Sequence, residues 1–143
     1  MTADKIITVN QNRGLTSIFK QNRNILLAYV FGSTAKNNRG ADSDFDLAIF
    51  KERNSKLNEF DLIKETNIAT IIPNLHLSVV DLESSPLFLK QIIDGVCIYE
   101  RDKFLKTNTE AMVMNIYFDT QHFRDVQNYY LQKRIQEGTY GYR

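Results

Sequence analysis

The sequence has little of what marks secreted, membrane-bound or disordered proteins. Its 143 residues include one cysteine, two prolines and six glycines. A single cysteine, Cys97, excludes an intramolecular disulfide and fits a reducing compartment. No apolar run approaches the roughly 20 residues that a helix needs to cross a bilayer, and the first residues do not resemble a signal peptide. We therefore expect a cytoplasmic protein with no membrane contact and, given so few glycines and prolines, few long loops.

An excess of charge of one sign is also missing. Eighteen basic and 17 acidic residues leave a formal net charge of +1, which argues against a protein that coats nucleic acid or attaches to an anionic membrane. We expect no direct nucleic-acid binding. The charges are nevertheless segregated, because residues 1–40 carry six basic side chains and one acidic one, whereas residues 41–100 are mainly acidic.

Apolar periodicity predicts one α/β domain over residues 1–143, with a core at about 22–103 and a helical tail at about 104–143. The predicted elements are one or two short helices within residues 2–20 broken near Gly14, strands at 24–31 and 44–50, a helix at 57–72, a strand at 75–82, a helix that ends at Gly95, a strand at 96–99 and a long helix at 108–136. This order of elements predicts a mixed sheet flanked by helices, with a C-terminal helix.

Polar residues at the ends of the first two predicted strands could face one pocket. Gly32 and Ser33 follow the first strand, and ten residues separate Ser33 from Asp44. Strand alternation puts Asp44 and Asp46 on one face, where their charges repel each other and need a cation. Magnesium is the natural cation because it takes carboxylate and phosphate oxygens together. Since a glycine and a serine at a turn can hold a phosphate, the pattern favours transfer from a nucleoside triphosphate.

The stretch from Phe31 to Phe50, FGSTAKNNRGADSDFDLAIF, resembles the Gly-Ser, ten residues, Asp-x-Asp signature of the polymerase-beta-type nucleotidyltransferase superfamily. Over about residues 22–136 the chain resembles the minimal members of this superfamily, the MNT antitoxins encoded beside HEPN-domain RNase toxins. The segment from Leu75 to Asp102 is similar to the family's third-carboxylate strand with its following helix and short strand. The resemblance implies a polymerase-beta-type nucleotidyltransferase fold.

The resemblance also implies roles for individual residues. The residues implied to bind the triphosphate of ATP are Gly32, Ser33, Lys36 and Arg39. The residues implied to bind two Mg²⁺ ions and to act in catalysis are Asp44, Asp46 and Asp81. Asp81 would also accept the proton of the nucleophile. Family members often carry Ala-Arg-Gly after the Gly-Ser pair, whereas this chain has Ala35, Lys36 and Asn37, so only the positive charge is kept.

The reaction implied by the resemblance is AMPylation, in which a hydroxyl attacks the α-phosphorus of ATP in line and pyrophosphate leaves. The implied acceptor is a tyrosine of a cognate HEPN RNase toxin, which the modification would silence. We therefore expect an antitoxin of a toxin–antitoxin pair that both modifies and binds its toxin. Two alternatives stay open: a nucleotidyltransferase for a small molecule or a nucleic-acid end, and a non-catalytic antitoxin that acts by binding alone.

Several other polar residues are expected to be structural. Asp42 shares the parity of the aspartate pair but precedes the strand, so we expect it to belong to the loop or to support the metal-binding aspartates from behind. His76 is expected on the strand face opposite Asp81, and neither His76 nor His122 has partners at zinc spacing. Cys97 is expected to be a core thiol. The tyrosines of the tail are expected to form part of a partner surface. They are Tyr117, Tyr129, Tyr130, Tyr140 and Tyr142.

Overall fold

The computed structural model describes residues 9–32, 44–69 and 72–138. The helices of these ranges are α1 (Val9–Gln21), α2 (Glu59–Ala69), α3 (Pro86–Ile93) and α4 (Lys103–Gln136). The strands of these ranges are β1 (Ile25–Phe31), β2 (Phe45–Lys51), β3 (Leu75–Val80) and β4 (Val96–Glu100). The predicted α/β fold is confirmed, as a mixed sheet flanked by helices with a long helix at its C-terminal end.

The sheet has the strand order β3-β2-β1-β4. β1 is antiparallel to both β2 and β4, whereas β2 and β3 are parallel. In this register Phe31 of β1 lies opposite Asp46 of β2, and Asp46 lies beside His76 of β3. The end of β1 and the starts of β2 and β3 therefore meet at one end of the sheet, which we call the aspartate end.

Both faces of the sheet are covered, which explains why β1 reads as a continuous apolar run. On one face α1 and α2 complete a core that includes Leu15, Phe19, Val30, Leu47 and Leu62. On the other face α3 and α4 complete a core that includes Tyr29, Phe50, Leu89, Ile92 and Val113. The side chains of β1 alternate between these two cores, so both faces of the strand are apolar.

Helix α1 is continuous, so the expected break near Gly14 is wrong. A glycine within a helix costs about 1 kcal/mol relative to alanine. The helix nevertheless passes through Gly14 because the next turn packs Leu15, Ile18 and Phe19 into the first core, where each is at most 6% exposed. Burial of these three side chains outweighs the glycine penalty.

Helix α4 begins at Lys103, five residues before the predicted start, because Asp102 caps it. The side chain of Asp102 accepts a hydrogen bond from the backbone N–H of Phe104 at 2.7 Å. Such a cap satisfies one of the free donors of the first helical turn.

Within the three described ranges, no helix is long and apolar enough to cross a membrane.

Helix α4 starts at the end of the sheet opposite the aspartates and runs back across the second face. Just before it, the backbone N–H of Arg101 donates to the carbonyl of Leu26 near the start of β1, at 2.9 Å. Two turns into the helix, Glu110 accepts a 2.6 Å hydrogen bond from the hydroxyl of Tyr29, further along β1. The helix therefore crosses the second face from the end of the sheet where β1 begins.

The C-terminal part of α4 extends past the sheet. The helix has 34 residues, or about 50 Å, whereas β1 has seven, or about 23 Å. The ring of Tyr117 still lies against the body of the protein, with the ammonium group of Lys90 in α3 at 5.6 Å from its centre. From Asp125 to Gly138 every residue is exposed. We call residues 118–136 the overhang of α4.

Candidate active site

The two aspartates of the predicted motif lie side by side at the aspartate end. Asp44 directly precedes β2 and Asp46 is its second residue. Their side chains are 52% and 27% exposed, so a ligand can reach both. A ring nitrogen of His76, Nδ1, stands 3.6 Å from Oδ2 of Asp44 and 4.0 Å from Oδ1 of Asp46. Both carboxylates therefore face the same small region of the surface.

Gly32 leaves the space that the Asp46 carboxylate occupies. Its φ angle is +70°, in the left-handed region that side chains with a Cβ rarely adopt. A Cβ added to Gly32 would lie 2.6 Å from Oδ2 of Asp46, closer than van der Waals contact allows. The predicted glycine requirement thus has a second cause, because the residue accommodates a neighbouring carboxylate as well as a turn.

The electrostatics of the pair favour a bound cation. Burial raises the pKa of the Asp46 carboxyl above its ordinary value; nearby His76 opposes this shift, and the negative charge of Asp44 adds to it. The ionised pair is therefore costly by itself. A divalent cation that accepts carboxylate oxygens would remove that cost, so these two residues fit the metal that the motif implies. Within the described ranges, no three His, Cys, Asp or Glu side chains already form a closed metal site.

The structure does not bring Asp81 to the pair. Asp81 follows β3, five residues after His76 and therefore roughly 16 Å further along the sheet. Its Oδ2 lies 3.8 Å from the ammonium nitrogen of Lys51 at the far end of β2. Its Oδ1 also accepts a 2.9 Å hydrogen bond from the backbone N–H of Glu83. Because β2 and β3 are parallel with their starts aligned, the end of β3 lies away from the aspartates. The expectation that Asp81 completes the metal site is therefore corrected: it stabilises the turn before α3.

Several predicted contacts lie outside the described residues. They are Ser33, Lys36 and Arg39 of the triphosphate site, the loop residue Asp42, and the tail residues Tyr140 and Tyr142. Their roles stay predictions. Gly32 is the part of the expected triphosphate site that the structure describes, and it adjoins Asp46 as the motif requires.

His76 is the site residue that the sequence reasoning missed. It was expected to be structural, yet its ring is 62% exposed and faces the aspartate pair. The alternation of β3 puts His76 on the face opposite Leu75 and Leu77, which pack with the first core. That alternation was readable from the sequence. The sequence does not show that His76 pairs with Asp46 on the neighbouring strand, and this pairing is what brings its ring to the aspartates.

Two other residues were expected to be structural, His122 and Cys97. His122 is exposed on α4, with its ring centre 6.2 Å from that of Phe123. Cys97 packs against the second core, where burial raises the pKa of its thiol to about 11. The thiol therefore stays protonated at neutral pH, and its Sγ donates to the carbonyl of Tyr99 at 3.3 Å.

The structure is a mixed α/β sheet with an aspartate pair beside a left-handed glycine, the arrangement expected for the predicted nucleotidyltransferase motif. Residues 13–104 match the family described as Polymerase beta, Nucleotidyltransferase, and the chain belongs to that family. The predicted superfamily is therefore confirmed. No curated protein matches the sequence.

Two solved structures show how closely the fold is shared. One is a toxin–antitoxin with AMP-PNP, at 18% identity and a TM-score of 0.54, over 80% of this chain and 95% of the other. The second is a tri-AMPylated Shewanella oneidensis HEPN toxin in complex with MNT antitoxin, at 17% identity and a TM-score of 0.52, over 82% of this chain and 94% of the other. At these identities the similarity shows a shared fold.

Proposed function

We propose that the protein is an antitoxin that transfers AMP from ATP to a tyrosine hydroxyl of a cognate HEPN-domain RNase toxin. The observation that carries this proposal is the pair Asp44 and Asp46 beside Gly32, in a domain of the polymerase beta nucleotidyltransferase family. The similar structures support the acceptor and the donor, since one contains an AMPylated HEPN toxin and another contains AMP-PNP.

In this proposal Asp44 and Asp46 hold two Mg²⁺ ions, and the residues that hold the triphosphate are Gly32, Ser33, Lys36 and Arg39. When bound, the cations neutralise phosphate charge and stabilise the leaving pyrophosphate. The acceptor oxygen bonds to the α-phosphorus, the bond from that phosphorus to the pyrophosphate breaks, and the hydroxyl proton passes to solvent. The aspartate end is open enough for an acceptor to approach, because Asp44 is half exposed.

The overhang of α4 supports a protein acceptor over a small molecule. It exposes large side chains that a monomer would normally bury, including Phe123 at 69%, Tyr129 at 62% and Ile135 at 56%. Aromatic residues of this kind are enriched at protein interfaces. The overhang therefore offers an exposed aromatic surface on which a protein partner could bind.

A non-catalytic antitoxin is the second candidate, and one observation favours it. Among the residues that the structure describes, no third carboxylate stands near Asp44 and Asp46, since Asp81 lies at the far end of β3. A site with two carboxylates could have lost the transfer reaction while keeping the toxin-binding surface.

Intact mass spectrometry separates these candidates. The protein is incubated with ATP, Mg²⁺ and the HEPN-domain product of the adjacent gene, and the mass of the toxin is measured. We expect an increase of one or more whole AMP units. The increase should be lost with Asp44→Asn plus Asp46→Asn. Asp81→Asn is the matched control, and we expect it to keep the activity because of its distance from the pair.

The outcomes assign the function. Growth rescue by the double variant, with no mass change on the toxin from either protein, would favour the binding antitoxin. If Asp81→Asn lost AMP transfer while its unfolding temperature stayed unchanged, Asp81 would be assigned a role in catalysis after all. An adjacent gene with no HEPN-like product would favour the small-molecule alternative.

A further inference from the structure

His76 stands where a third ligand of a cation held by the aspartate pair would stand. β2 and β3 are parallel neighbours, and Asp46 is the register partner of His76. Paired residues of adjacent strands project to the same face of a sheet, so imidazole and carboxylate share one face. The resulting spacings of 3.6 Å and 4.0 Å join Nδ1 to one oxygen of each aspartate.

These spacings are close to those of donors on one cation. Donors that each lie about 2.0–2.2 Å from a metal ion stand roughly 3–4 Å apart, according to the angle between them. As they stand, the described residues include no group of three His, Cys, Asp or Glu side chains placed to hold a metal ion, so a side-chain rotation must accompany binding. His76 is free to make it, because its side chain is 62% exposed.

An imidazole ligand changes which ion the site prefers. Mg²⁺ favours oxygen donors, whereas first-row transition ions also take imidazole nitrogen, with an affinity that rises along the series from Mn²⁺ to Cu²⁺. Two carboxylates alone would leave Mg²⁺ as the natural ion. Two carboxylates and an imidazole favour a transition ion at the same place.

We infer that His76 is the third protein ligand of one cation at the Asp44–Asp46 pair, and that this position prefers a transition-metal ion over Mg²⁺. The inference rests on the proposed function only in placing a cation at the aspartates. An ordinary surface contact between His76 and Asp44 is the competing explanation, and it requires no metal–nitrogen bond.

Pulsed electron paramagnetic resonance tests the bond directly, with Mn²⁺ as the probe. Mn²⁺ is added to the full-length protein together with α,β-methylene-ATP, which cannot donate AMP. We expect ¹⁴N modulation of the Mn²⁺ signal that changes when the histidines carry ¹⁵N in their rings, and that disappears in His76→Ala. His122→Ala is the matched control, since His122 is an exposed histidine on α4, and it should keep the modulation.

Affinity measurements give a second readout. Free Mn²⁺ counted by its EPR signal should show binding at least about tenfold weaker in His76→Ala, as expected for loss of a metal-site partner. Mg²⁺ affinity, measured by competition, should fall by a smaller factor. His76→Asp should shift the preference toward Mg²⁺, because it replaces nitrogen with oxygen.

The results separate this inference from the proposed function. A wild-type protein that binds Mn²⁺ without histidine modulation, or modulation that survives in His76→Ala, would overturn the inference even if the toxin is AMPylated. Histidine modulation that depends on His76 would support it even if no AMP transfer is found. Failure to bind Mn²⁺ at all would also overturn it.

Discussion

At the scale of single residues, Gly32 and Gly138 allow the function of a glycine to be separated from its backbone conformation. Both have positive φ angles, +70° and +67°, so alanine costs about 1–2 kcal/mol of backbone strain at either position. The added Cβ meets Oδ2 of Asp46 at 2.6 Å in Gly32→Ala but nothing within 4 Å in Gly138→Ala.

We therefore expect Gly32→Ala to lose more stability in urea unfolding than Gly138→Ala, and only Gly32→Ala should lose metal binding and AMP transfer, by tenfold or more. Isothermal titration with Mn²⁺ and the toxin mass assay measure the two effects. Equal metal affinity in the two variants would show that the Asp46 carboxylate can move away from the added methyl group without cost.

Asp46 illustrates a conflict between stability and function at a single side chain. Its raised pKa, caused first by burial, means that the folded state disfavours the charge. This cost is present above the folded-state pKa and disappears as the pH falls below the unfolded-state pKa. We expect Asp46→Asn to raise the unfolding temperature of the metal-free protein at pH 7 and to abolish transfer.

The increase in unfolding temperature caused by Asp46→Asn should shrink as the pH falls. At pH 7 the increase should be smaller for Asp44→Asn, because the Asp44 side chain is 52% exposed. Thermal unfolding followed by circular dichroism in the presence of a chelator measures this. A lower unfolding temperature for Asp46→Asn at pH 7 would show that its contact with His76 stabilises the apo protein more than burial destabilises it.

At the scale of secondary-structure elements, the sequence predicts where the strands lie along the chain but not which strands pair with each other. β1 and β2 are apolar on both faces and are bounded by polar residues, so their position follows from burial alone. Which strands pair, and in which register, depends on contacts between distant segments. That is why Asp44 and Asp46 could be recognised from a local pattern, whereas Asp81 was placed in the site and His76 was left out of it.

A part-buried hydrogen bond joins β1 to α4, beside the apolar contacts of the second core. The hydroxyl of Tyr29 is 2.6 Å from Oε1 of Glu110, and burial raises the pKa of Tyr29, so the hydroxyl stays a donor. Tyr29→Phe leaves that carboxylate without this donor. A hydrogen bond to a charged group is worth about 1.5–3 kcal/mol, and we expect a loss of that size in urea unfolding at neutral pH.

Glu110→Gln provides the control for this prediction, because an amide oxygen can still accept the bond from Tyr29. The double variant should lose less than the sum of the two single losses, since both act on one contact. Additive losses would mean that the two side chains stabilise the protein independently, and that α4 is held to the sheet by apolar packing alone.

At the scale of the whole molecule, the overhang of α4 is an exposed aromatic surface that the described part of the domain does not cover. Phe123 and Tyr130 are seven residues apart, so they share one face of the helix, and they are 69% and 55% exposed. If this face holds the toxin, Phe123→Ser plus Tyr130→Ser should weaken toxin binding by tenfold or more, as is common for buried aromatic interface residues.

Phe60 is the matched control for the overhang. It is 63% exposed but lies on α2, against the opposite face of the sheet. Phe60→Ser should leave toxin affinity unchanged, and neither set of substitutions should alter Mn²⁺ binding, because both lie outside the aspartate pair. Titration of fluorescently labelled toxin measures the affinity. Equal weakening by both sets would place the toxin contact elsewhere, and AMP transfer would then have to reach the aspartates without help from α4.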